Sequence, residues 1–172
     1  MQNPYLQTTR YTKTEAMTIL QTTTLTTEQK ESVYKLWNNE YPEMLSFKTM
    51  SDLDNYLITL PNVSYYLLKN DSDEIEGWAM KFIMANEKWF AITIDSKVQG
   101  KGKGTILLNK LKEKEESLSG WVIDHENDIK QNGEKYKSPV LFYLKNGFKI
   151  YSDSRLEIPI LSAAKISWHH TE

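Results

Sequence analysis

The chain has 172 residues, 40% of them hydrophobic, which fits one globular domain with a core of its own. Its formal net charge of −2 gives no general attraction to nucleic acid or to an anionic membrane. It contains no cysteine, so disulfides, thiolate catalysis and cysteine-ligated metals are excluded. We find no pattern of a secretory signal and no apolar run long enough to cross a bilayer, which predicts a cytoplasmic protein.

The first elements are predicted from capping residues and periodicity. Residues 1–14 are polar and without periodicity, and are predicted to form an arm before a single domain over 15–172. A short strand is predicted at 15–21. Thr26 and Gln29 then form a capping box, in which each side chain satisfies a free backbone N–H of the other, and this predicts the start of a first helix.

A second helix and three strands are predicted next. Ser51 and Asp54 indicate the helix start, and Pro61 ends its apolar pattern. Strand-forming residues follow in three runs, at 63–69, 75–84 and 89–94. Because the connections between these runs are short and turn-rich, they predict an antiparallel meander.

The second half of the chain mixes helices and strands. One helical stripe of leucines is predicted at Leu107, Leu108, Leu111 and Leu118. Ser138 and Pro139 are typical of an N-cap followed by proline at the first helical position, and Gly147 is typical of the residue that ends a helix. Further strands are predicted at 121–123, 148–151, 156–160 and 164–168. The pattern predicts an α+β or mixed α/β domain.

Three glycines at alternate positions, Gly100, Gly102 and Gly104, separate the meander from the leucine helix. Glycine allows a positive φ and brings backbone N–H groups close to a ligand. The N–H groups at a helix start are unpaired and favour an anion. Because Lys101 and Lys103 add positive charge, the loop is predicted to bind a polyphosphate.

Three phosphate-binding patterns compete for this loop, besides a plain turn that binds nothing. A Walker A loop needs a longer spacing and a lysine before the threonine. In a dinucleotide fingerprint the third glycine comes one residue later, and the loop opens a parallel unit. The remaining pattern, Gln/Arg-x-x-Gly-x-Gly/Ala, is matched by Gln99, Gly102 and Gly104.

That loop, followed by Phe142-Tyr143-Leu144-Lys145-Asn146-Gly147-Phe148, resembles the two signatures of the GNAT superfamily of N-acetyltransferases. The resemblance extends from about Glu15 to Trp168. It implies a central twisted mixed sheet, mostly antiparallel and flanked by helices. It also implies acetyl-CoA as the co-substrate, with its pyrophosphate held by backbone amides of the loop. The binding residues it implies are Ile94, Asp95, Gln99, Gly100, Lys101, Gly102, Lys103, Gly104 and Thr105.

The resemblance also implies roles in the chemistry. Tyr143 would be the general acid that protonates the departing thiolate, although a tyrosine here can also simply pack the helix. A backbone N–H of Ile94 or Asp95 would polarise the thioester carbonyl. A β-bulge at that point would separate this strand from its neighbour and open a slot for the pantetheine arm.

The acceptor side of the reaction is less defined. Glu87, Asp124 and His125 lie near strand ends and are candidates for a general base, beside solvent or a water-mediated base. An asparagine that the family often has seven residues before its tyrosine is replaced by Tyr136. Asn127 or Asn132 would then take over its role.

The polar stretch 124–135 is either a solvated insertion or a segment that overhangs the acceptor site. Its acidic residues lack a definite ligand spacing, so no metal is expected. Their charge would suit a cationic amine. The aromatic residues Tyr34, Trp37 and Tyr41 of the first helix are spaced as core residues, or they face the acceptor cleft.

The sequence therefore predicts an N-acetyltransferase that moves an acetyl group from acetyl-CoA to a primary amine of a small molecule or peptide. The alternative is a non-catalytic acyl-CoA-binding regulatory module of the same fold, and a third possibility is a scaffold domain. The expected partners are acetyl-CoA and an unidentified amine. A homodimer is possible, because dimers are common among soluble proteins.

Overall fold

The computed structural model describes residues 16–171, and its seven strands form one sheet. They are β1 (Thr18–Thr22), β2 (Ser64–Lys69), β3 (Ile75–Met84), β4 (Glu87–Ile94), β5 (Ser117–Val122), β6 (Lys149–Ile158) and β7 (Leu161–His169). The order across the sheet is β1-β2-β3-β4-β5-β7-β6. Neighbouring strands are antiparallel except β4 and β5, which are parallel. The predicted arm, 1–14, lies outside the described residues.

Four helices cover the two faces of the sheet: α1 (Thr27–Glu40), α2 (Met50–Leu57), α3 (Lys103–Lys112) and α4 (Val140–Lys145). Side chains alternate across each strand, so the sheet divides the core into two parts. Leu67, Trp78 and Met80 pack with α1 and α2. Leu68 and Phe90 pack with α3 and α4 on the other face. The predicted fold class, α+β with a mostly antiparallel mixed sheet flanked by helices, is confirmed.

The helix starts partly agree with the sequence. The capping box of Thr26 and Gln29 is present at the start of α1, as predicted. The second box is formed by Thr49 and Asp52, so the prediction from Ser51 and Asp54 was wrong. Thr49 has extended backbone angles, and its hydroxyl accepts a hydrogen bond from the Asp52 N–H, so α2 begins earlier than expected.

The predicted leucine stripe was longer than the observed helix, which ends before Leu118. The chain turns after α3 at Lys114, which has a φ of 63°, and Leu118 lies in β5 opposite Trp168. Pro139 is the N-cap of α4 rather than its first residue. The Ser138 hydroxyl donates to the Ile123 carbonyl at 2.6 Å, which ties this residue to the end of β5.

The antiparallel meander of β2, β3 and β4 is confirmed, and the strand predictions after α4 overlap β6 and β7, with Phe148 and residues 159–160 lying outside these strands. The β3–β4 ladder keeps one register from Met84–Glu87 to Gly77–Ile94, so the bulge expected at the end of β4 is absent from this ladder. The opening beside the end of β4 instead lies between β4 and β5. β4 and β5 pair only at Trp89 and Ser119, and we call the space beyond this bridge the slot.

Candidate functional site

The end of β4 directs one backbone N–H toward the slot. The Asp95 N–H donates to the Glu76 carbonyl at 2.8 Å, on the β3 side. Because successive residues of a strand direct their backbone groups to opposite edges, the N–H and C=O of Ile94 face the β5 side. The Gln99 side chain agrees with this direction, since its amide donates to the Ile94 carbonyl at 2.9 Å.

A single 3-10 turn, Ser96–Val98, connects β4 to the glycine loop. The Asp95 carboxylate accepts a hydrogen bond from the Lys97 N–H at 2.9 Å, and the Asp95 carbonyl accepts one from the Val98 N–H. Asp95 and Gln99 thus hold the shape of the turn by contacts within it.

Gly100 and Gly102 have the backbone conformation that a phosphate loop requires. Their φ angles are 75° and 79°, and a Cβ added at either would meet nothing within 4 Å. Gly102 is the N-cap of α3 and no side chain caps this helix. The first intrahelical bond of α3 runs from the Ile106 N–H to the Gly102 carbonyl, so the amides of Gly104 and Thr105 precede it, at the end of the helix where an anion is favoured.

Gly104 has a packing role. A Cβ at this position would lie 3.2 Å from the Phe142 ring, closer than side chains normally approach. The absence of a side chain therefore lets α3 and α4 come together beside the slot.

The two lysines of the loop have different surroundings. Lys101 is exposed beside the loop. Lys103 is only 7% exposed, and its ammonium forms an ion pair with Glu76 of β3. Although burial acts to raise the pKa of Glu76, the contacts with Lys103 and Asn70 lower it overall. The charge of Lys103 is thus compensated from within the fold, unlike the free positive charge that the sequence predicted.

Tyr143 is 6% exposed on α4 and packs against the rings of Phe90, Phe142 and Phe148, with centroids 5.2–5.9 Å away. Burial raises its pKa well above the ordinary tyrosine value, and the neighbouring phenols Tyr41 and Tyr136 add to this. The phenol therefore stays protonated at neutral pH and above.

Tyr41 and Tyr136 are half-buried phenols that also raise the pKa of Tyr143. Tyr41 is the C-cap of α1 and packs on Trp37, with ring centroids 4.6 Å apart. Burial raises the pKa of Tyr136, and the charges of Tyr41, Asp128 and Glu40 raise it further. Tyr143 itself belongs to the core on the α3 and α4 face of the sheet, whereas Tyr41 packs against the core on the α1 face.

The connection between β5 and α4, 123–139, is fastened to the end of α1. The Lys130 ammonium donates to Glu40 at 3.1 Å, and the Ser96 N–H donates to the same carboxylate at 2.9 Å. The Glu43 N–H donates to the Ile129 carbonyl at 2.8 Å. The connection therefore forms one wall beside the end of β4.

Two of the three candidate bases, Glu87 and Asp124, are bound by other side chains. Glu87 begins β4, at the opposite end of the strand, where Lys165 and Ser119 bind it. Asp124 accepts two hydrogen bonds from Arg155, at 2.9 and 3.0 Å, and these lower its pKa.

His125 has one ring nitrogen 3.3 Å from the Asn127 N–H and the other 4.0 Å from Asp128. Asn127 itself is exposed, and Asn132 accepts a hydrogen bond from the Glu134 N–H at the exposed tip of a turn. Tyr136, which stands at the family's asparagine position, is the residue placed near Tyr143. No group of three acidic or histidine side chains suited to a metal occurs in 16–171.

The sequence did not single out Thr93, and it did not predict that Tyr136 comes close to Tyr143. Thr93 was detectable, because alternation along β4 places it on the same face as Ala91, which packs toward α1. Tyr136 was treated only as a departure from the motif. In the first helix, Trp37 is core as expected and donates to the Leu45 carbonyl at 2.8 Å, and Tyr41 packs against the same core.

Solved structures with a similar architecture include GNAT acetyltransferases. A GNAT-family acetyltransferase from Staphylococcus aureus Mu50 is 16% identical with a TM-score of 0.63, covering 90% of this chain and 99% of that chain. A GNAT phosphinothricin acetyltransferase from Sinorhizobium meliloti, solved with acetyl-CoA, is 13% identical with a TM-score of 0.61, covering 89% and 88%. A variant of the spermidine N-acetyltransferase from Vibrio cholerae is 14% identical with a TM-score of 0.60, covering 89% and 93%.

The chain has the GNAT fold, so the resemblance carried by its two signatures is confirmed at the level of the fold. No family model matches the sequence, and no curated protein matches it significantly. None of the helices within 16–171 has the length and apolar character needed to cross a membrane.

Proposed function

We propose that this protein is an N-acetyltransferase that moves an acetyl group from acetyl-CoA to a primary amine of a small molecule or peptide. The observation that carries the proposal is the uncapped start of α3 beside the slot. There, Gly100 and Gly102 leave open space next to the first-turn amides of Gly104 and Thr105, and no side chain caps the helix. An anion such as a pyrophosphate is favoured at that position. Similar folds solved as acetyltransferases, one with acetyl-CoA bound, support the choice of donor.

The donor would occupy two adjoining parts of the site. The amides of Gly102, Lys103, Gly104 and Thr105 would hold the pyrophosphate, with Lys101 adding charge. The pantetheine arm would enter the slot between β4 and β5. There the Ile94 N–H would donate to the thioester carbonyl, since the Asp95 N–H already donates to Glu76.

The reaction is a direct attack. The amine nitrogen forms a bond to the thioester carbonyl carbon, and the carbon–sulfur bond then breaks. The thiolate takes a proton from Tyr143, and the proton lost by the nitrogen restores the phenol, directly or through solvent. The products are one N-acetyl amine and one free CoA thiol. Because burial raises its pKa, Tyr143 holds its proton until the thiolate forms.

We assign no side-chain base to the amine. Asp124 is held by Arg155, and Glu87 lies at the far end of β4. The amine would therefore lose its proton to solvent before it attacks. The lack of an assigned side-chain base also favours a second candidate function, a non-catalytic acyl-CoA-binding module that keeps the loop but has no turnover.

Tyr143→Phe tests the mechanism. We expect kcat to fall about 100-fold, which is the typical contribution of a positioned general acid, while CoA still raises the melting temperature as in the wild type. The matched control is Tyr151→Phe, which removes a phenol from β6 that is bonded to Ser167 at 3.2 Å, outside the slot. Unchanged kcat in Tyr143→Phe would remove the assigned acid. A wild-type chain that binds CoA without releasing thiol would favour the second function.

A further inference from the structure

Thr93 carries a buried hydroxyl without a hydrogen-bond partner in the described part of the chain. The residue is 7% exposed and precedes the last residue of β4. Its side chain shares the α1 face of the strand with Ala91, whereas Ile92 and Ile94 face α3. A buried hydroxyl without a partner costs free energy, so its persistence calls for an explanation.

The Tyr41 phenol is a polar neighbour of this hydroxyl. Burial raises the pKa of Tyr41, and Thr93 partly offsets that effect, so the two hydroxyls lie close together. Their arrangement nevertheless does not satisfy the geometry of a hydrogen bond. A small polar group placed between them would bond to both.

The position of the pair fits the direction from which an acceptor must arrive. Thr93 and Ile94 are consecutive, so the Thr93 hydroxyl projects to the α1 face beside the backbone N–H that faces the slot. Tyr143 lies on the opposite face of the sheet, in the core with Phe90 and Phe148. An amine held at Thr93 would meet a thioester in the slot from the side away from α3 and α4.

We propose that the Thr93 and Tyr41 hydroxyls bind the acceptor's primary amine in its uncharged form and direct its lone pair at the thioester. This inference rests on the proposed acetyl transfer and adds its acceptor subsite. Neutral hydroxyls in a buried place do not offset the desolvation of an ammonium, so they select the free amine. The nearby Glu40 carboxylate is already bound by Lys130 and by the Ser96 N–H.

The test compares Thr93→Val with Thr93→Ser in the full chain, using glycinamide as the amine and acetyl-CoA as the donor. Valine keeps the shape of threonine and removes the unpartnered oxygen. We expect the melting temperature to stay the same or rise, and kcat/KM for glycinamide to fall about tenfold, as for one lost hydrogen bond to substrate. The KM for acetyl-CoA should not change. Serine retains the hydroxyl and should restore most of the activity.

The control is Thr59→Val, which removes a surface hydroxyl that donates to the Tyr56 carbonyl, and should leave kcat/KM unchanged. A Thr93→Val protein with wild-type kcat/KM for glycinamide overturns the inference and leaves the acetyltransferase proposal standing. A raised KM for acetyl-CoA also overturns it, by assigning the hydroxyl to the donor. A wild-type chain that releases no thiol with any amine overturns both proposals.

Discussion

Two lysines of one loop, separated by a single glycine, have different tasks because only one of them meets a carboxylate inside the fold. Lys103 is buried against Glu76, which also accepts from Asn70 at 3.2 Å. Lys101 is exposed. Charge in the sequence therefore does not by itself identify the residue that is available to a phosphate.

Replacing each lysine by methionine should separate stability from binding. In Lys103→Met the Glu76 carboxylate loses its buried partner, and we expect the free energy of unfolding to fall by about 2 kcal/mol. In Lys101→Met we expect unchanged stability and CoA affinity lower by about threefold, as for one exposed charge contact. Urea denaturation measures the stability of each variant, and a CoA titration at two salt concentrations measures its affinity for CoA. The assignment fails if Lys101→Met loses stability and Lys103→Met does not.

Glycine has two distinct uses in the same loop. At Gly102 it supplies a left-handed backbone and an open approach, while at Gly104 it supplies room for a ring. Only the first use is readable as a phosphate-loop signal. The second depends on α4, which is far away in sequence.

At the scale of elements, α3 and α4 contact each other at Gly104 and Phe142. A Cβ at Gly104 would lie 3.2 and 3.3 Å from two atoms of this ring. Gly104→Ala should therefore cost about 1–2 kcal/mol of unfolding free energy through overpacking, although alanine is the better helix former.

The double variant Gly104→Ala with Phe142→Leu provides the check. If the ring is the obstacle, alanine should cost less in the Phe142→Leu background than in the wild type, and a double-mutant cycle on urea midpoints gives the coupling. Additive effects would mean that the helices do not meet at this point.

The sequence predicted elements where a local signal sufficed. Thr26 and Gln29 cap α1 through contacts within one turn, and the meander follows from short connections. Leu118 was assigned to the helix because it keeps the helical spacing after Leu111. The spacing alone does not show that the chain turns at Lys114. Two capping boxes two residues apart were likewise indistinguishable until the backbone of Thr49 was known.

The shape of the glycine loop could be predicted from the sequence, and the surroundings of Tyr143 much less. The loop is one contiguous segment, so its glycines and its helix start are visible together. The surroundings of Tyr143 depend on contacts between distant segments: Tyr41 arrives from α1, and Tyr136 from a connection fastened by Lys130. No short motif encodes such an arrangement.

At the scale of the whole molecule, the fold raises the pKa of several tyrosines and lowers the pKa of several carboxylates. Burial raises the pKa of Tyr56, Tyr136 and Tyr143 above the ordinary value. The contacts with Arg155 lower the pKa of Asp124, and those with Lys81 and Lys88 lower that of Glu115 against the effect of burial.

The sign of each effect predicts the shape of the stability curve. Above about pH 10 the unfolded chain loses phenol protons before the folded one does, so stability should fall as pH rises. Below about pH 4 the unfolded chain binds carboxylate protons first, so stability should fall as pH falls. Urea midpoints across pH measure the plateau between these limits. Tyr56→Phe, outside the slot, should make the alkaline fall shallower, and an unchanged alkaline slope would contradict the assignment.

Several features of the fold lie at or beside the slot. The sheet separates after the Trp89–Ser119 bridge, the glycine loop follows the end of β4, and Tyr143 lies in the core on the α3 and α4 face. This arrangement leaves one region in which a thioester, an amine and a proton donor can meet. The central claim is therefore that the chain joins an amine to the acetyl group of acetyl-CoA.

The most direct measurement incubates the wild-type chain with acetyl-CoA and a panel of primary amines and peptides, and follows free thiol and acetylated amine together. The account predicts that at least one amine gives thiol release above the amine-free rate, with one acetylated amine formed for each thiol. It also predicts that Tyr143→Phe slows both products equally. Thiol release that no amine stimulates, from a chain that CoA stabilises, would contradict it.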